Sequence, residues 1–115
     1  MLTIRQLACT FAATGFLAAA TTGAVAEELT AAEITSLHAG NCITYWGPSR
    51  GTQCFGTDGS TNYDDESYGT DSGQWGMRED EMCVNWDSDP GWDCGPVWRV
   101  DADTYYDGEY TWQIN

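Results

Sequence analysis

The segment MCVNWDSDPGWDC, residues 82–94, decides the fold of this chain. Its first five residues place the apolar side chains of Met82, Val84 and Trp86 at every second position. A period of two is typical of a β-strand that buries one face. The sequence Asp89-Pro90-Gly91 that follows is typical of a turn. The segment therefore predicts a β-hairpin.

The same pattern recurs in other parts of the chain. Tyr110, Trp112 and Ile114 alternate with polar residues, and a run around Trp75 and Met77 does so too. Turn signals separate these runs, at residues 47–49, 57–60, 89–91 and 107–108. Short strands at this spacing predict a mainly all-β fold, a small antiparallel meander or barrel-like sheet.

Four cysteines flank two of the turn signals. Cys42 and Cys54 are symmetric about Pro48, and Cys83 and Cys94 flank Asp87 to Gly91. Directly opposed residues of a hairpin bring their Cβ atoms to about 4.5–5.5 Å, which suits a disulfide. We predict Cys42–Cys54 and Cys83–Cys94, each worth about 3 kcal/mol in the chain-entropy model. Two other connectivities remain possible.

The N-terminal segment has the features of an export signal. Arg5 is followed by an apolar run from residue 7 to residue 20 and by the small-x-small site Ala24-Val25-Ala26. We predict a signal peptide at 1–26 and a single small domain at 27–115, which is periplasmic or secreted. The predicted signal carries Cys9, so an even set of cysteines remains for an oxidising compartment. No membrane insertion is expected after the signal is removed.

One short helix is predicted at the start of the domain. Thr30 and Glu33 have the spacing of a capping box, in which each side chain bonds to the backbone of the other residue. Leu29 and Ile34 occupy the positions of a hydrophobic staple around it. Gly40 or Asn41 can take the left-handed conformation that ends a helix.

Several motifs resemble a family of small exported bacterial proteins of unknown function. The resemblance rests on the following segments: Leu29 to Ile34, Gly40-Asn41, Asp58-Gly59, Gly73-Gln74-Trp75, Met82 to Trp86, and Cys94 with Trp98-Arg99. It implies a compact antiparallel sheet with a leading helix. It implies no activity.

The charge of the chain is strongly acidic. All 18 acidic residues follow the predicted signal. The basic residues in the same part of the chain are Arg50, Arg78 and Arg99. The formal net charge of the whole chain is −14. Nucleic acid and anionic lipid both require a basic surface. We therefore expect neither as a partner.

The sequence gives little support for a catalytic site. The chain has one histidine, His38, at the end of the predicted helix, where a histidine interacts favourably with the carbonyl ends. There is no C-x-x-C motif. A hydrolase would need a pair of carboxyls across a cleft, which sequence alone does not locate. We expect a protein that is not an enzyme and has no cofactor.

Calcium is the one metal that the residues suggest. The segment from 58 to 66 is dense in hard oxygen ligands, although it departs from the EF-hand pattern. The candidate ligands are Asp58, Asn62, Asp64, Asp65 and Glu66. The alternative interpretation is a loop with solvated carboxylates.

The aromatic residues divide into a predicted core and a predicted surface. A short sheet with few aliphatic residues must build its core from rings, and we assign to it Trp75, Val84, Trp86, Trp112 and Ile114. Aromatic residues near turns are expected to be exposed and are the interface candidates: Tyr45, Trp46, Trp92, Tyr105 and Tyr106. The resulting hypothesis is a binding or inhibitor-like module for an unknown protein. The alternative is an envelope protein that binds calcium or a small ligand.

Overall fold

The computed structural model describes residues 26–115, so the predicted signal peptide lies outside the described residues except for Ala26. This part of the chain folds into one short helix and ten strands. The elements are β1 Glu27–Glu28, α1 Ala31–His38, β2 Cys42–Trp46, β3 Gly51–Phe55, β4 Ser60–Asp65, β5 Gly69–Arg78, β6 Glu81–Trp86, β7 Asp89–Gly95, β8 Trp98–Asp101, β9 Thr104–Tyr106 and β10 Thr111–Ile114. None of these elements is a helix long and apolar enough to cross a membrane.

All strands belong to one antiparallel sheet that curls into a half-barrel. Its strand order is β1-β8-β9-β10-β2-β3-β4-β5-β6-β7. Strands β2 to β7 form a continuous meander of hairpins, and the remaining strands extend the sheet on the other side of β2. The prediction of an antiparallel β fold with one short helix is confirmed.

The two edges of the sheet are linked by a very short connection. Only Pro96 and Val97 separate β7, at one edge, from β8, next to the other edge. Val97 is buried, and its carbonyl oxygen accepts a 2.9 Å hydrogen bond from the Leu29 backbone N–H beside β1. The sheet must therefore curl far enough to bring both edges together at this point.

Both predicted disulfides are present. Cys42 and Cys54 are directly opposed in the β2–β3 hairpin, and Cys83 and Cys94 are directly opposed in the β6–β7 hairpin. In the β2–β3 hairpin Ile43 points into the core, so alternation places the Cys42–Cys54 bridge on the outer face of the sheet. In the other bridge Cys83 is buried and Cys94 lines the cleft described below.

The helix begins and ends as predicted. The Thr30 side chain accepts from the Glu33 backbone N–H at 3.3 Å, and the Thr30 backbone N–H donates to the Glu33 carboxylate at 2.9 Å. Gly40 has a φ of 81°, the left-handed conformation expected at the end of the helix. Asp80, in the β5–β6 turn, accepts from the Ala31 backbone N–H at 2.8 Å and fixes the helix to the sheet.

The core lies on the inner face of the curled sheet, under the helix. Its buried residues are Leu29, Ile34, Ile43, Tyr45, Phe55, Trp75, Val97, Tyr105 and Trp112. Trp75 and Trp112 are buried as predicted, whereas Val84 and Ile114 are half-buried and pack against this core. The core is rich in rings because the strands supply few aliphatic side chains.

His38 is a core residue rather than a helix-end surface residue. Its side chain is fully buried and has edge contacts with the rings of Phe55, Tyr105 and Trp112. Nδ1 lies 2.7 Å from the Ile34 carbonyl oxygen, so this nitrogen must carry the hydrogen. Nε2 then accepts from the Trp112 indole N–H at 3.1 Å. Burial lowers the pKa of His38, and the imidazole is neutral.

Candidate functional site

An open cleft occupies the part of the inner face that the helix leaves uncovered. Its volume is about 500 Å³, and no helix residue lines it. Seven aromatic side chains contribute to the lining: Tyr45, Phe55, Tyr63, Tyr68, Trp86, Tyr110 and Trp112. A concave site of this size, lined by rings with a few polar groups, is the usual form of a small-molecule site.

A glycine allows two aromatic rings of the cleft to meet across a strand. Tyr63 on β4 and Trp86 on β6 are separated by β5, and their ring centroids lie 4.8 Å apart in an edge-to-face arrangement. The intervening position is Gly73, which pairs with Trp86. A Cβ atom at Gly73 would collide with the Asn85 carbonyl oxygen. The missing side chain therefore permits both the close strand approach and the ring contact.

A second glycine position supports a buried hydrogen-bond network at another part of the cleft. Gly51 pairs with both Tyr45 and Asp65, so the Tyr45 ring can pass over it. The Tyr45 hydroxyl donates to Asp65 Oδ2 at 2.7 Å. Ser49 also donates to Oδ2 at 2.7 Å, which leaves its oxygen to accept from the Tyr110 hydroxyl at 2.9 Å. These contacts fix two tyrosine rings of the cleft.

Asp65 is ionised and fully engaged. Its Oδ1 atom accepts from the backbone N–H groups of Ser67 and Tyr68 at 2.7 and 3.0 Å. Burial raises the pKa of Asp65, but the hydrogen bonds to the charged form outweigh burial and lower the pKa to about 2. Its contribution to stability is therefore present above the ordinary value of 3.8 and is lost as the pH falls toward 2.

The cleft is negatively charged. Six carboxylates contribute to its lining, and arginine, lysine and histidine do not: Asp65, Asp71, Asp89, Asp93, Asp107 and Glu109. The pKa of Tyr63 reflects this environment, since burial raises it first and the charges of Asp71 and Asp65 raise it further. The electrostatic potential inside the cleft therefore favours positive charge.

Two of the five interface candidates were wrongly expected to be exposed. Tyr45 and Tyr105 are buried, because the first bonds to Asp65 and the second packs in the core beside Trp112. Tyr106 is half-buried.

The other two candidates, Trp46 and Trp92, are exposed as expected, at 37% and 55%. They do not form one surface patch within the sheet. Strands β3, β4, β5 and β6 separate β2, which carries Trp46, from β7, which carries Trp92.

The five candidate calcium ligands are not brought together. Most of the segment is strand β4 rather than a loop, and it alternates between the two faces of the sheet. Asn62 and Asp64 point outward, whereas Asp65 points inward, and Asp58 accepts hydrogen bonds from Ser60 in the preceding turn. Within residues 26–115, no three histidine, cysteine or acidic side chains form a group that could hold a metal ion.

Three aromatic residues of the cleft were not predicted from the sequence to belong to a site. Trp86 was assigned to the core, but it is half-buried and lines the cleft. Tyr63 lies in the segment that was interpreted as a calcium loop. Tyr68 is 70% exposed in the β4–β5 turn, at the edge of the cleft. Its position two residues after the acidic run Asp64-Asp65-Glu66 was the only signal in the sequence.

The structure is that of a disulfide-linked β domain with an open cleft lined by aromatic and acidic side chains. Comparison with protein-family models, with curated proteins and with solved structures finds no match. The function is therefore argued from the cleft itself.

Replacing Tyr45 with phenylalanine tests the buried network. The variant removes one hydrogen bond to a charged carboxylate, and such bonds contribute about 1.5–3 kcal/mol. We expect a loss of this size in the free energy of unfolding, measured with urea at pH 7. Tyr106→Phe is the matched control, since the Tyr106 hydroxyl has no hydrogen bond within residues 26–115, and it should change stability by less than about 0.5 kcal/mol. Equal losses in the two variants would contradict a special role for the Tyr45–Asp65 contact.

Proposed function

We propose that this protein is an exported, non-catalytic binding domain that holds a small ligand in the cleft of its half-barrel. The observation that carries the proposal is the cleft of about 500 Å³, with seven aromatic side chains in its lining. Ligand pockets typically have volumes of about 300–1,000 Å³ and are lined by rings with a few polar groups.

Export is part of the proposal. The two disulfides suggest an oxidising, extracytoplasmic environment, since thiols are kept reduced in the cytosol. The predicted signal at residues 1–26 and the resemblance to small exported bacterial proteins support the same location, which we take to be the periplasm or the medium.

The state of His38 supports a binding role over a catalytic one. Both ring nitrogens are used in hydrogen bonds inside the core, and the side chain does not line the cleft. Asp65, whose pKa is lowered to about 2, already accepts four hydrogen bonds and cannot act as a proton donor near neutral pH. The cleft therefore offers rings and fixed charges rather than an activated group.

A screen by NMR tests the proposal. The purified domain, residues 27–115 with both disulfides formed, is exposed to a panel of neutral, cationic and anionic small molecules. The six tryptophans of the chain provide separate indole signals. We expect ligands to shift the signals of Trp86 and Trp112, which line the cleft, and to leave those of Trp46 and Trp92 unchanged. A panel in which no compound moves the two cleft signals would contradict the proposal.

Variants separate this proposal from binding of a protein through the exposed tryptophans. Trp86→Ala and Tyr68→Ala should weaken ligand binding, and Tyr68 serves as the safer variant because its ring is largely exposed. Trp46→Ala and Trp92→Ala should leave ligand binding unchanged. If instead the last two variants abolish capture of a partner protein while the melting temperature stays the same, the interaction-module interpretation is correct.

A further inference from the structure

The charge of the cleft lining specifies the class of ligand. We infer that the cleft binds a small organic cation, an alkylammonium or quaternary ammonium compound. This inference rests on the proposed function, because it names the ligand class of the same cleft.

Three carboxylates of the cleft are available to a ligand. Asp89, Asp93 and Glu109 line it, and their side chains accept no hydrogen bond and form no ion pair within residues 26–115. The remaining carboxylates have structural roles. Asp71 accepts from Ser88, and Asp107 accepts from two backbone N–H groups of its own turn. The available carboxylates therefore share the cleft with carboxylates whose hydrogen bonds hold the surrounding loops and strands in place.

The arginines of residues 26–115 do not neutralise the negative charge of the cleft. Arg78 pairs with Glu81 at 2.9 Å and Arg99 pairs with Glu27 at 3.2 Å, and neither arginine lines the cleft. Arg50 does not line it either. A concave site with one sign of charge concentrates ligands of the opposite sign and repels those of the same sign.

The rings favour an organic cation over an inorganic one. A cation placed against the face of a tryptophan or tyrosine ring is attracted by the quadrupole of the ring, and quaternary ammonium groups are recognised in this way. Tyr63, Tyr68, Trp86 and Tyr110 all line the same cleft as the three available carboxylates. A calcium ion would instead require several oxygen ligands around one point, and residues 26–115 hold no such group.

The test compares cations with neutral molecules of the same shape. Choline and butylammonium are titrated into the domain beside the isosteres in which carbon replaces the charged nitrogen, with calorimetry and the Trp86 indole signal as readouts. We expect each cation to bind at least about tenfold more tightly than its isostere. The affinity should also fall as sodium chloride is added, because salt screens exposed charges.

Variants that neutralise carboxylates test whether the cleft causes the tighter binding of cations. Asp93→Asn combined with Glu109→Gln should weaken choline binding about fivefold, since both carboxylates line the cleft and neither holds the fold together. The matched control is Glu28→Gln combined with Asp64→Asn, which removes the same charge outside the cleft and should leave the affinity unchanged. Equal weakening by the two double variants would overturn the inference, because it would show an effect of net charge alone.

The outcomes also separate this inference from the proposed function. Isosteres or anions that bind as well as the cations overturn the inference and leave the ligand-binding function intact. Absence of any Trp86 shift with every compound, cationic or neutral, overturns both. A cation preference that the cleft variant removes and the control variant retains supports both.

Discussion

Replacing Cys42 and Cys54 together with alanine will lower the free energy of unfolding by about 3 kcal/mol. The bridge closes a loop with a sequence separation of 12 residues, and loops of this size contribute about that much by restricting the unfolded chain. The consequence should be severe, because a domain of this size has little stability to lose. Urea unfolding followed by tryptophan fluorescence measures the loss.

A control at a neighbouring pair of residues distinguishes the stability contributed by the disulfide from that contributed by ordinary strand pairing. Thr44 and Thr52 are directly opposed in the same hairpin and on the same face as the disulfide. Replacing both with alanine should cost about 1–2 kcal/mol, because it removes a cross-strand pair and the hydrogen bond from the Thr44 hydroxyl to Asn115 Oδ1. If the cysteine and threonine variants lose equal stability, the sheet rather than the bridge holds this hairpin.

The second large effect is expected at His38. His38→Ala removes a buried side chain from the core and leaves the Trp112 indole N–H without its acceptor, 3.1 Å away in the native protein. Large-to-small changes in cores and unsatisfied buried donors both destabilise, and we expect a loss of about 3–5 kcal/mol. Ser36→Ala, on the exposed side of the same helix, is the control and should be nearly neutral.

His38 should also make stability depend on pH near neutrality. The folded protein holds the imidazole neutral with a lowered pKa, whereas in the unfolded chain it binds a proton at about its ordinary value of 6.5. The stabilising contribution is therefore fully present above pH 6.5. It is lost as the pH falls below that value, by up to about 1.4 kcal/mol per pH unit.

A variant without the imidazole tests this dependence. The chain has a single histidine, so His38→Gln should flatten the stability curve between pH 7 and pH 5. Thermal unfolding across this range, for both proteins, measures the effect. A slope that is the same in the two proteins would show that the imidazole is not the group responsible.

The hairpins could be predicted because their signals are local. Cys42 and Cys54 are directly opposed because they are symmetric about the turn at Pro48. Cys83 and Cys94 are also opposed, but their turn lies at residues 87–88, because Asp89-Pro90-Gly91 belongs to β7, and a register shift between Val84 and Trp86 aligns the two cysteines. The capping box at Thr30 is equally local. These features depend on residues only a few positions apart, so tertiary context does not change them.

Strand β4 could not be predicted, because its sequence is almost entirely polar. Thr61 is buried although it is polar, since it donates to the Cys54 carbonyl oxygen and accepts from Gln53. Asp65 is buried because neighbouring strands and the following turn supply its donors. A hydrophobic pattern cannot reveal a strand whose inward residues are satisfied by hydrogen bonds.

The cleft depends on contacts between residues distant in sequence. Tyr63 meets Trp86 only because Gly73 lies between them on the intervening strand. Tyr45 was expected at the surface since it lies near a turn, yet its hydroxyl reaches Asp65 across Gly51. Such pairings follow from strand order and register, which the sequence pattern alone does not fix.

The strand order has a consequence for the way the chain acquires its structure as it is synthesised. Strands β2 to β7 form five successive hairpins between strands that are adjacent along the chain, so each hairpin can form as soon as it emerges. The pairing of β2 with β10 and of β1 with β8 must wait for the C-terminal residues. The helix stays without its aromatic contacts to Tyr105 and Trp112 until then. Strand β10 therefore completes the interior, and a chain truncated before Thr111 would leave His38 without the Trp112 indole N–H that donates to it.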